Sequence, residues 1–174
     1  MFSTGEKNKN TKGFTLVEIT VVLAVVAVIA VMTVSFVALV GTQSQIAKNS
    51  GDISSDISYI ESDFRKFIMS YDDSSYTFSV SATAVKVVKE GTDISVFTIQ
   101  NKNLTYKRPD GTDFIRTLKR TESASFSVLK SDDSENGNFA ILCKFSYQSA
   151  NGKNAEEKTV IRTVRAANVA EVTA

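Results

Sequence analysis

Hydrophobic and polar positions divide the chain into three textures. From Ile19 to Val40 no charged side chain occurs, and the only polar ones are Thr20, Thr33 and Ser35. This run of 22 residues corresponds to roughly 33 Å of helix, enough to cross a hydrocarbon core of about 30 Å. Valine dominates it, and valine in water favours strands. A lone strand in lipid leaves its backbone unpaired, so the run reads as a transmembrane helix.

The second texture follows a polar stretch, TQSQIAKNSG. Ile53, Ile57, Ile60, Phe64, Phe67, Ile68 and Tyr71 recur at steps of three and four and form one helical stripe. Ser50 or Asp52 is placed to cap its start. Ser55, Asp56, Ser58, Glu61, Ser62 and Arg65 fall on the opposite side and read as solvated. With the span, this stripe makes one long helix, with Gly41 to Gly51 as the place for any bend. The only proline is Pro109, so no kink is predicted inside the span.

The third texture alternates with period two, and the chain turns from helix to strand at Asp72-Asp73-Ser74-Ser75. Strands are predicted from Tyr76 to Val80, Ala84 to Val88, Ile94 to Ile99 and Leu104 to Arg108. Further strands run from Asp113 to Leu118, around Phe126 and Val128, from Phe139 to Tyr147, and from Thr159 to Arg165. Glu90-Gly91-Thr92-Asp93 and Pro109-Asp110-Gly111 read as turns. The tail AANVAEVTA reads as frayed. The order predicts an α+β fold, one long N-terminal helix laid across antiparallel strands.

Composition narrows the chemistry. The chain has 174 residues, 20 basic and 19 acidic, and no histidine. That balance gives no bulk field that draws nucleic acid. Without histidine, triads that use it as a base are excluded, and with one cysteine the usual zinc sets cannot assemble within one chain. Cys143 shares a strand face with Phe139, Ile141 and Phe145 and reads as a buried small hydrophobe. It has no partner for an intramolecular disulfide. No Gly-rich phosphate loop occurs. No catalytic set, cofactor site or metal site is expected, and the chain does not read as an enzyme. Asp110, Asp113, Asp132, Asp133 and Glu135 are loop acids with no EF-hand spacing, and read as solvated turns rather than calcium ligands. Lys102, Lys107, Arg108, Arg116, Lys119 and Arg120, interleaved with Tyr106 and Phe114, form a basic segment. It reads as a solvated sheet surface or a contact with acidic neighbouring subunits, ahead of a DNA contact.

Two features of the N-terminus remain. Lys7, Lys9 and Lys12 against Glu6 keep the start of the chain cytoplasmic by the positive-inside tendency, so the remainder is exported. The apolar run is too long for an ordinary signal peptide. A plain signal anchor explains the length and the lysines but not Glu18, because a carboxylate carried to mid-bilayer costs about 2.5–3.5 kcal/mol and calls for a cationic partner.

Gly13-Phe14-Thr15-Leu16-Val17-Glu18, with a short basic leader before it and a long uncharged span after it, resembles the processing site of type IV prepilins and pseudopilins. The resemblance implies that a prepilin peptidase cuts between Gly13 and Phe14 and that the new N-terminal Phe14 is methylated. It implies that Glu18 neutralises the Phe14 ammonium of a neighbouring subunit during assembly. Lys12 holds the site at the membrane surface or serves as one more positive-inside lysine. Residues 1–13 are then a cleaved leader, 14–40 the transmembrane helix, 41–51 a connecting helix segment and 52–174 the exported domain. NLTYKRPDGTDFIRTLKRTESASFSVL, FAILCKFSY and KTVIRTVRAANVA look most like J-type minor pseudopilins and related minor pilins. The resemblance implies a pilin-like fold and a minor subunit at the initiation or tip of a pilus, or of a secretion or competence pseudopilus. Its partners are the peptidase, other pilin or pseudopilin subunits and the inner or cytoplasmic membrane, with the domain periplasmic or extracellular after assembly. Two alternatives stand beside it: a minor pilin that binds DNA, a surface or secreted cargo, and a generic signal-anchored domain.

Overall fold

The computed structural model of the chain describes residues 13–130, 139–164 and 169–171. They fall into two compact units, one ending at Ser44 and one beginning at Gln45. Helix α1, Leu16–Tyr71, is assigned without a break through Gly41 and Gly51. Ser50 and Asp52 therefore lie inside a helix and cap nothing. The start of α1 is set at Thr15 instead.

In the first unit the apolar side chains from Phe14 to Val40 are exposed on every side. Each span hydroxyl is bonded within the helix. Thr20 donates to the carbonyl of Val17 at 2.9 Å, Thr33 to Ile29 at 2.8 Å and Ser35 to Val31 at 2.9 Å. An alcohol in hydrocarbon needs such a partner, and here the helix supplies it.

The second unit holds the core. β1 (Thr77–Val80), β2 (Ala84–Lys89), β3 (Thr92–Gln100), β4 (Asn103–Lys107) and β5 (Asp113–Thr117) form successive antiparallel pairs. β6 (Thr121–Lys130), β7 (Phe139–Gln148) and β8 (Ala155–Val164) form a separate antiparallel sheet. β9 (Val169–Glu171) adds to the first sheet beside β1, giving the order β5-β4-β3-β2-β1-β9. β9 runs parallel to β1, so the tail is not wholly frayed and the first sheet is not wholly antiparallel. β6 begins at Thr121 rather than near Phe126, because Glu122 and Ser123 form an irregularity that interrupts the alternation. β8 begins at Ala155, in polar residues that alternation alone does not mark; Arg165 lies outside the described residues. Thr92 and Asp93 belong to β3, so the turn before it is Glu90-Gly91 alone. Both residues there have positive φ, 50° and 79°, as do Asn101 and Lys102 at 51° and 63°. These are two-residue hairpin links whose twist suits the flanking strands.

Residues from α1 and both sheets form one core. The Phe67 ring sits 5.1 Å from Phe97, 5.7 Å from Tyr106 and 6.4 Å from Phe78, and so spans β3, β4 and β1. Phe64 lies 5.3 Å from Phe97 and 6.2 Å from Phe126, which joins the second sheet to the first. Aromatic pairs in this range add about 0.5–1.5 kcal/mol each beyond burial. Phe126, Cys143 and Val160 occupy one row across β6, β7 and β8. Burial pushes the Cys143 thiol up to about 12, as expected of a small hydrophobe without charge nearby. The architecture is the pilin-like α+β arrangement, a long N-terminal helix packed against antiparallel sheets.

A second stripe on α1 corrects the sequence reading. Asn49, Asp52, Asp56, Tyr59 and Asp63 repeat at steps of three and four, and Asp56 and Asp63 are buried. Asp56 is not solvated. Its carboxylate accepts the main-chain N–H groups of Lys119 at 3.0 Å, Arg120 at 2.6 Å and Thr121 at 3.1 Å. Asp63 pairs with Arg116 Nε at 2.6 Å, and the same guanidinium lies over the rings of Tyr59 and Phe114. Lys119 Nζ is 2.5 Å from Asp52, and this bond holds the Asp52 carboxyl below its usual range. Arg120 donates to Asn49. Three members of the basic segment, Arg116, Lys119 and Arg120, thus bond this chain's own helix. Lys102, Lys107 and Arg108 stay exposed, Arg108 over the Phe114 ring at 5.0 Å.

Candidate processing and assembly site

Gly13 and Phe14 precede α1 in non-helical backbone, and Phe14 is 81% exposed. A methylene added at Gly13 meets nothing within 4 Å. Within this chain, then, packing does not demand glycine at that position. Lys12 lies outside the described residues.

Glu18 has a defined partner. Its Oε2 accepts the main-chain N–H of Thr15 at 3.0 Å and the Thr15 hydroxyl at 3.1 Å. In return the Thr15 hydroxyl oxygen accepts the N–H of Glu18 at 3.2 Å. Thr15 is the residue before the helix and Glu18 its third residue, so the pair forms a reciprocal capping box. Two of the unpaired donors at a helix start are satisfied, and a carboxylate sits at the positive end of the helix dipole. The sequence reading assigned Glu18 to a neighbouring subunit and passed over Thr15. The signal was present as Thr-x-x-Glu immediately before an apolar run. In the single chain, Glu18 faces the first turn of its own helix.

Residues 8–34 match the prokaryotic N-terminal methylation motif. The chain carries the N-methylation motif of type IV prepilin-like proteins. No curated protein and no solved structure matches the chain. The matched stretch covers Gly13, Phe14, Thr15 and Glu18 and ends inside the span. α1 is long and apolar enough near the N-terminus to cross a membrane, consistent with a membrane-anchored prepilin.

The other candidates gather into no site. Asp110 accepts the hydroxyl and N–H of Thr112 at 2.6 and 2.8 Å, which holds its carboxyl below the usual range. Asp113 is exposed. Asp132, Asp133 and Glu135 lie outside the described residues. Among the described residues no three His, Cys, Asp or Glu side chains come together as metal ligands.

Proposed function

We propose that this chain is a minor pilin or pseudopilin subunit, cleaved between Gly13 and Phe14, methylated on Phe14 and assembled into a pilus or a secretion or competence pseudopilus. The methylation motif over residues 8–34 carries the proposal. Two features of α1 support it. Its span hydroxyls are satisfied internally, as lipid requires, and its first turn is closed by the Glu18 carboxylate on Thr15.

In this reading the membrane holds the span with the N-terminus cytoplasmic and the second unit exported. Cleavage converts the Phe14 amide into an ammonium. Glu18, already turned toward residue 15, is the nearest acid, and it shifts from the capping box to the Phe14 ammonium of a neighbouring subunit as the helix leaves lipid. An unpaired charge in low dielectric is heavily penalised, so this pairing fixes the register of assembly. The work of the protein is assembly at the start or tip of a filament.

The test is the intact mass of the protein extracted from its own host's membrane, beside a Gly13→Leu variant. Processing predicts a chain that begins at methylated Phe14 and a variant that keeps residues 1–13.

A further inference from the structure

Two clefts of the second unit share Lys102, Glu122 and Ser123 and join into one trough. One encloses about 400 Å³ and the other about 530 Å³. The trough lies where the tip of the β3–β4 hairpin, the irregular start of β6 and the β7–β8 turn meet. Its walls carry Lys102, Lys119, Arg120 and Lys153 against a single acid, Glu122. No side chain larger than alanine among the lining residues is aliphatic. Gln100, Asn101, Gln148 and Asn154 contribute amides instead.

The cations are arranged by the fold. Asp52 holds Lys119, and Asn49 and Gln148 hold the Arg120 guanidinium. The Lys102 backbone is pinned at both ends: its N–H donates to the Glu122 carbonyl at 3.1 Å, and its carbonyl accepts the Leu118 N–H at 2.6 Å. It sits at φ 63°, a conformation that a side chain bearing Cβ adopts at a cost. Lys102 and Lys153 are exposed, and among the described residues neither ammonium has an ion-pair partner.

We propose that this trough binds an anionic polysaccharide. The Lys102 and Lys153 ammoniums, unpaired among the described residues, suit its carboxylate, sulfate or phosphate groups, and the Gln100, Asn101 and Asn154 amides donate to and accept from sugar hydroxyls. An apolar ligand finds no Val, Leu, Ile, Met or Phe side chain there to pack against. A peptide finds no pocket for the buried anchors that dominate such interfaces. A nucleic-acid strand finds one aromatic, Tyr147, where stacking platforms are needed. The inference is independent of the processing reading.

The test uses the full chain in nonionic detergent, with heparin as the anionic probe, neutral dextran and single-stranded DNA as comparators, at about 0.15 M salt. Heparin should bind and dextran should not, with affinity falling as salt rises. Lys102→Glu with Lys153→Glu should weaken binding at least tenfold, Lys102→Gln with Lys153→Gln by a smaller factor. Lys66→Glu, on the exposed side of α1, should leave it unchanged, and circular dichroism should show all variants folded. Absence of heparin binding, an equal loss in Lys66→Glu, no loss in the folded double variants, or tighter binding of DNA than of heparin would each overturn the proposal.

Discussion

The Asp56 carboxylate caps the main chain at Arg120: its Oδ2 accepts the Arg120 N–H at 2.6 Å, between equivalent bonds from Lys119 and Thr121. Three consecutive backbone donors converge on one buried side chain of α1, and they belong to the segment that leads from the first sheet into the second. The bond therefore fixes where the second sheet starts. Asp56→Ala strands these donors in a buried place, and a loss of about 3 kcal/mol is expected. Asp56→Asn should cost less than Asp56→Ala, because an amide oxygen in the Oδ2 position keeps all three bonds and only the second Lys119 contact then faces an amide nitrogen. Urea unfolding of the detergent-solubilised chain, followed by near-ultraviolet circular dichroism of its tyrosines, measures both.

Arg116 is a second tie between α1 and the first sheet. Its guanidinium bonds Asp63 while lying 4.2 Å from the Tyr59 ring centre and 5.2 Å from that of Phe114. A lysine ammonium reproduces the charge but not the planar stack. Arg116→Lys should cost about 1–2 kcal/mol. Asp63→Ala should cost about 3 kcal/mol, because it leaves a partly buried cation unpaired. The same unfolding experiment ranks them, and an Arg116→Lys as costly as Asp63→Ala would assign the stability to the stack rather than to the ion pair.

Alkaline pH should loosen the core before it loosens the surface. Burial raises the Cys143 thiol to about 12 from 9.0 and raises the phenols of Tyr71 and Tyr106 above 10.0. Groups raised in the folded state are neutral there while the unfolded chain ionises. Their stabilisation is full below about pH 9 and declines as pH climbs through the folded values. Unfolding midpoints should fall steadily above pH 9. In the same range Cys143 should stay unreactive to iodoacetamide until the chain unfolds, and rapid alkylation of the folded protein at pH 8.5 would show that the strand β7 face is open.

The Thr15–Glu18 box should set the first turn of α1. Thr15→Val removes the hydroxyl without changing shape and should cost about 1 kcal/mol in the local helix, with Thr15→Ser restoring it. Amide exchange and chemical shifts of Leu16 to Ile19 in micelles report this directly. An unchanged first turn in Thr15→Val would leave Glu18 as the sole cap.

How much of this was legible beforehand follows from what each pattern encodes. The Ile60–Phe64–Phe67–Tyr71 stripe and the alternation in β7 are burial patterns, and the structure keeps them; the apolar span is helical, as its length and composition require, with its side chains exposed in the single chain. Asp56 was misread because periodicity treats every charge as solvated. Its burial depends on backbone donors some sixty residues away, which no local pattern records. β9 was missed because three residues of Val-Ala-Glu carry no alternation, and the parallel pairing with β1 comes from the path of the chain. Thr15 was missed for a different reason: its Thr-x-x-Glu signal was present, but Glu18 had been assigned to a partner in another subunit.

The central claim is that residues 1–13 are a leader and Phe14 the working N-terminus. Intact mass spectrometry of membrane-extracted protein, native beside Gly13→Leu, tests it most directly. The account predicts a native chain that begins at Phe14 with one added methyl group, and a variant that retains Met1 to Gly13. A native protein that keeps its first 13 residues would contradict it, and would leave an anchored α+β domain whose Glu18 serves only to cap its own helix.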